Sequence, residues 1–134
     1  MRYGVAAEED SNHREAMRLL RFAGLEEVSS ELAGDLSYGQ QKLLTLACCL
    51  ATEARVLLLD EPVAGVHPQM ASHILELLQR LRGDGKLVVF IEHDIDAVRH
   101  AADSVVVMDE GRVIAQGPPR EVLERAEIME AYLA

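Results

Sequence analysis

Basic residues, cysteines and long apolar runs are scarce in this sequence, and each scarcity closes off a class of function. Thirteen Lys and Arg stand against 23 Asp and Glu, for a net charge of −10. Nucleic-acid binding needs a surplus of positive charge to neutralise phosphates, so no nucleic-acid partner is expected. The two cysteines, Cys48 and Cys49, are adjacent in an apolar helical run. They suit a reducing compartment and read as small buried core residues. With no second cysteine pair or nearby histidine cluster, they do not make a metal site. No apolar run approaches the roughly 18 residues of a membrane span. The opening MRYGVAAEED lacks the apolar core of a secretory signal. Repeats, low-complexity tracts and linkers are also missing. The expectation is a soluble, cytoplasmic protein.

What is present is a chain of 134 residues, 49% hydrophobic, enough for one domain or a large piece of one. Asp10 or Ser11 can cap a first helix running to about Ala23, with Gly24 as its stop. Residues 25–36 read as a short helix and loop. Ser37 is a preferred N-cap for a helix over 38–52 that is apolar nearly all round and therefore expected to be buried. Val56 to Asp60 and Leu87 to Ile91 read as strands covered on both faces, because neither shows polar alternation. Between them, Pro68 opens a helix that the Gly83-Asp84-Gly85 stretch ends. A helix over 94–102 follows, then a hairpin of 104–108 and 112–116 around Asp109-Glu110-Gly111. Pro118-Pro119 opens a last helical region. The middle of the chain is a βαβ unit, which predicts an α/β fold, mainly a parallel sheet with flanking helices plus a C-terminal hairpin.

Ligands on such sheets bind at the carboxyl ends of the strands. The polar residues Asp60, Glu61, Glu92, His93 and Asp94 fall at those ends. Asp60 at a strand tip can hold Mg²⁺ beside nucleotide phosphates. Glu61 can act as a general base, worth about 10²–10⁴ in rate. His93 can contact a terminal phosphate and stabilise developing charge. Ser37 and Gly39 at a helix start can offer an anion free N–H groups, the helix dipole and a hydroxyl. Each feature also has a plain structural use: a solvated turn, a strand-end histidine, a cap. His67, His73 and His100 share no ligand spacing, and Tyr38 and Phe90 read as packing residues.

Joint order and spacing decide between these uses. Leu36-Ser37-Tyr38-Gly39-Gln40-Gln41 resembles the signature motif of the ATP-binding cassette (ABC) ATPases. The run VLLLDEP, Val56 to Pro62, resembles their Walker B strand with its glutamate, Ala64 to Pro68 their D-loop, and Ile91-Glu92-His93-Asp94 their switch-histidine segment. The Tyr in the signature, the run GPPREV at 117–122 and the run MEAYL at 129–133 are similar to the branched-chain amino acid importer subgroup. The resemblance implies a partial P-loop NTPase fold, with residues 1–53 as part of a helical subdomain and 54–134 as the C-terminal part of a RecA-like core. It implies ATP and Mg²⁺ as ligands, a second ATP-binding subunit and membrane permease subunits as partners, and a place at the inner face of the membrane. Asp60 would serve the metal, and Glu61 and His93 catalysis, at this chain's own ATP. Ser37, Gly39 and Gln40 would serve an ATP held by the partner subunit.

Two departures stand out. A phosphate loop needs G-x-x-x-x-G-K-[ST]. The sole Gly-Lys pair is Gly85-Lys86, with Arg80 in place of the first glycine and Leu87 in place of the Ser/Thr. The Walker A half is missing, as are matches to the adenine-stacking aromatic and the Q-loop. The expectation is that this chain alone neither holds ATP tightly nor turns it over, and that unpaired strand edges make it self-associate. The second departure is His67, where the family's D-loop has Asp or Asn. Three functions stay open: part of an import ATPase, a non-catalytic module lending its signature helix to a partner ATPase, and an oligomer of unrelated function.

Overall fold

The computed structural model describes residues 2–126, 128 and 130, with side chains from residue 7 onward. Helix α1 spans Arg2–Phe22. It starts well before the predicted Asp10/Ser11 cap, so those residues lie inside the helix. Gly24 ends it at φ 74°. Its N–H donates to the Arg21 carbonyl at 3.1 Å and the Leu25 N–H to the Leu20 carbonyl at 2.8 Å, the paired bonds of a Schellman stop. The weakly patterned segment after it holds two short 3₁₀ turns, Glu26–Val28 and Ala33–Asp35.

Helix α2, Tyr38–Ala51, begins on a full capping box. The Gln40 N–H donates to Ser37 Oγ at 3.4 Å, and the Ser37 N–H donates to Gln40 Oε1 at 2.9 Å. Such a cap contributes about 1 kcal/mol. The helix is not buried all round as its composition suggests: one face, Leu43, Leu46, Ala47 and Leu50, enters the core. Cys48 is exposed and Cys49 only half-buried, so the reading of both as core residues is corrected. Composition gave no way to choose among several equally apolar faces.

Strand β1, Val56–Asp60, helix α3, Pro68–Gly83, and strand β2, Leu87–Ile91, form the βαβ unit. The strands pair in parallel from Val56↔Leu87 to Asp60↔Ile91. Helix α3 buries Ile74, Leu75, Leu77, Leu78 and Leu81, the period of a core-facing stripe. These residues join Leu19, Ala23, Leu25, Leu57 and the buried face of α2 in one core cluster. Helix α4, Ile95–Ala101, follows, capped by Asp94. Strands β3, Val105–Asp109, and β4, Arg112–Gly117, pair antiparallel. Glu110 and Gly111 form their two-residue turn, both at positive φ, the conformation a tight hairpin demands. Helix α5, Pro119–Leu123, packs on the hairpin through Val122, next to Val107, Ala115 and Ile128. Residues 131–134, the end of the predicted last helical region, lie outside the described residues.

The expectation that β1 and β2 are covered on both faces is corrected. Leu57 is buried, but Leu58 is 77% exposed and its neighbours Val56, Leu87, Val89 and Ile91 are also open. One face of the pair meets α3 and the core. The other is a continuous apolar surface. The two strand pairs also stay separate, as two two-stranded sheets, and edge strands are left without partners among the described residues.

Candidate functional site

Both strands of the βαβ unit deliver their polar residues to one end. Asp60 is the last residue of β1 and is exposed. Glu61 follows at φ 44°, a backbone conformation that costs a non-glycine residue roughly 1–3 kcal/mol and persists only when its surroundings enforce it. The enforcing contacts are visible. Its N–H donates to the Ile91 carbonyl at 2.9 Å. Its carbonyl accepts from Lys42 Nζ at 2.6 Å. Its carboxylate Oε1 lies 3.0 Å from His93 Nδ1. A carboxylate can only accept, so Nδ1 carries the proton of this bond, and Nε2 of a neutral His93 ring is left as an acceptor facing outward.

The other acids at these strand ends have structural work. Asp94 Oδ1 accepts from the N–H groups of Asp96 and Ala97 at 2.9 and 3.1 Å and caps α4. Glu92 is buried, and its Oε1 accepts from the Val63 N–H at 2.8 Å. Among the described residues no group of three His, Cys, Asp or Glu gathers to hold a metal ion. Asp60 therefore belongs to no all-protein cage among the described residues, and a Mg²⁺ held there would keep waters or take its other ligands from phosphates.

Ser37, Gly39 and Gln40 form a separate cluster at the start of α2. The capping box occupies the N–H groups of Ser37 and Gln40, so the orphan donors left at this helix end are those of Tyr38 and Gly39. Gly39 has a packing reason to be glycine: a Cβ there would sit 2.7 Å from Met70 Cγ. The α2 start thus abuts the first turn of α3, just after the loop that links β1 to α3. In that loop His67 caps α3, its Nδ1 accepting from the Gln69 N–H at 3.4 Å. A ring nitrogen here does what an Asp or Asn oxygen would do.

Lys42, whose ammonium also lies 5.4 Å from the Tyr38 ring centre, was not singled out by the sequence motifs. Its spacing of four from Tyr38 puts both on one helix face and was the available signal. Beside Asp60 a cleft of about 240 Å³ opens between α2, β1 and α3, lined by Lys42, Thr45, Cys49, Leu58 and Ile74 among others. Its walls are mainly aliphatic, so it supplies no phosphate cradle.

Residues 8–91 match the family model described as "AAA domain, putative AbiEii toxin, Type IV TA system". The chain is 36% identical over 127 residues to the high-affinity branched-chain amino acid transport ATP-binding protein BraF of Pseudomonas aeruginosa, covering 91% of this chain and 50% of that protein. It is 38% identical over 122 residues to the energy-coupling factor transporter ATP-binding protein EcfA2 of Clostridium perfringens, covering 90% of this chain and 43% of that one. Among solved structures, an ATP-binding cassette of an ABC transporter in its ADP conformation superposes with a TM-score of 0.83 at 33% identity, over 90% of this chain and 49% of the other. The chain spans about half the length of the curated relatives it matches. It belongs to the AAA-domain family, and over about 90% of its length it shares sequence and fold with ATP-binding proteins of ABC transporters.

Proposed function

We propose that this chain is the signature- and switch-bearing part of an ABC-type ATPase that couples ATP binding and hydrolysis to solute import. The observation that carries the reading is the Glu61–His93 pair: a glutamate on a strained, over-determined backbone, its carboxylate 3.0 Å from a strand-end histidine, with Asp60 beside it. Glu61 is the general base that orients a water, and His93 Nε2 can accept from such a water in the neutral ring or donate to a terminal phosphate in the charged ring. Asp60 would hold the Mg²⁺ of Mg-ATP, whose charge offsets that of the phosphates. Residues 1–53 act as part of a helical subdomain and 54–134 as part of the nucleotide-binding core. The N–H end of α2, with Ser37, Gly39 and Gln40, serves an ATP bound to a second subunit. Membrane permease subunits complete the assembly at the cytoplasmic face of the membrane. Branched-chain amino acids are the proposed solute class, on the likeness to BraF and to LivG proteins; the likeness to energy-coupling factor proteins makes their solutes the comparison in any transport assay.

The test has two parts. Calorimetric titration of the 134-residue chain with Mg-ATP should show no saturable micromolar binding, because no phosphate loop is in the sequence. In a complex completed by a phosphate-loop half, Glu61→Gln should abolish turnover and leave nucleotide binding intact. Retained turnover would refute the base assignment.

The open apolar face of β1 and β2 favours a second reading, a non-catalytic module that self-associates or lends its α2 end to a partner ATPase. A pull-down with a complete homologous domain tests it: association strengthened by ATP supports the module, and no association favours an inert, self-associating fragment.

A further inference from the structure

Glu92 is the sole polar or charged residue among those buried in the described structure, and only half of its carboxylate is satisfied. Oε1 accepts from the Val63 N–H at 2.8 Å, while Oε2 is buried without a hydrogen-bond partner among the described residues. A buried carboxylate kept on such terms needs a reason beyond packing, since an apolar side chain would fill the same space without an orphaned oxygen.

The reason lies in what surrounds it. Three successive residues at the end of β2 each hold the turn after β1. The Ile91 carbonyl accepts the Glu61 N–H at 2.9 Å, Glu92 accepts the Val63 N–H, and the His93 ring meets the Glu61 carboxylate at 3.0 Å. Glu61 itself sits at φ 44°, and Val63 is buried, so its N–H has no water to turn to. We infer that Glu92 is a positioning residue: by fixing Val63 it holds the 61–63 turn in its strained form and keeps the Glu61 carboxylate against His93. Its importance for catalysis rests on the Glu61 role proposed above, but its structural action does not.

The experiment is hydrogen exchange and NOE measurement by NMR on the labelled 134-residue chain and its Glu92 variants. Glu92→Gln keeps the Oε1 acceptor and should leave Val63 amide protection within about threefold of the parent and the Glu61–His93 NOEs in place. Glu92→Leu keeps bulk but removes the acceptor. It should lower Val63 protection at least tenfold and erase those NOEs, while amides within α3 such as Leu77 and Leu78 keep theirs. If Glu92→Leu does not fold, Glu92→Asp, one methylene too short to reach, carries the same expectation. A purely packing role predicts Val63 protection and the NOEs unchanged in Glu92→Leu. That result overturns the inference, as does Glu92→Gln losing both as fully as Glu92→Leu. Because the readout is the turn and not turnover, failure of the Glu61→Gln test would leave this result standing, and the converse holds.

Discussion

Substituting Gly39 by alanine tests whether this glycine is small for packing or for a ligand. An alanine Cβ would lie 2.7 Å from Met70 Cγ, 3.2 Å from Cε and 3.4 Å from Sδ. Favourable carbon contacts lie at about 3.5–4.0 Å, so the approach to Cγ is roughly 1 Å too close. Cγ is near the Met70 backbone and cannot yield by a twist of the chain tip, so the side chain must leave its rotamer or α2 must shift. Overpacking of this kind costs about 1–3 kcal/mol. Alanine's helix preference over glycine offsets at most about 1 kcal/mol of that. Gly39→Ala should therefore destabilise by about 0.5–2 kcal/mol. Met70→Ala alone, removing a half-buried side chain, should cost about 1 kcal/mol, below the range for full burial. In the Met70→Ala background Gly39→Ala should become neutral or mildly stabilising. The assay is urea unfolding of the four proteins at low concentration, read as a double-mutant cycle. A coupling energy of about 1–3 kcal/mol, the overpacking cost itself, is expected. Additivity within about 0.5 kcal/mol would refute the packing argument and leave ligand approach as the reason for glycine.

Two further outcomes are expected. Leu58→Lys places a charge at the centre of the open β1–β2 face, where Leu58 is 77% exposed. It should change stability by no more than about 0.5 kcal/mol, yet reduce self-association in sedimentation velocity; unchanged association would place the contact elsewhere. At acid pH, Glu26 should titrate below its ordinary 4.5 because Arg21 hydrogen-bonds its carboxylate at 2.6 and 3.0 Å. A folded-state pKa that is depressed adds stability above the unfolded value, and that stability is lost as pH falls through the folded one. Arg21→Ala should return the Glu26 midpoint, read by carboxyl-carbon NMR, toward 4.5; a midpoint that does not move would show that the pair does not form in solution.

Much of the site was legible locally. A Ser before an apolar run, a Pro opening α3, a Gly pair closing it and a Glu-Gly turn are signals carried by single residues and their own backbones, and each element formed where they stood. The strand tips followed as well: acids and a histidine that end two apolar runs must share one end of a parallel pair, which brought Asp60, Glu61 and His93 together. Gly39 was legible as a glycine at a helix start, but its contact with Met70, 31 positions along the chain, was not.

The sequence by itself determined the βαβ order, the hairpin, the Ser37 cap and the family, because those depend on local propensity and on motif spacing. Only the tertiary structure decided burial and strain. Val56, Leu58 and Ile91 have the composition of fully covered strands, yet their face is open, because covering a face is a matter of which other segment reaches it. Cys48 is exposed for the same reason. The positive φ of Glu61 and the half-satisfied Glu92 arise where two strand ends, about thirty residues apart, are held against each other, and no local pattern encodes that meeting.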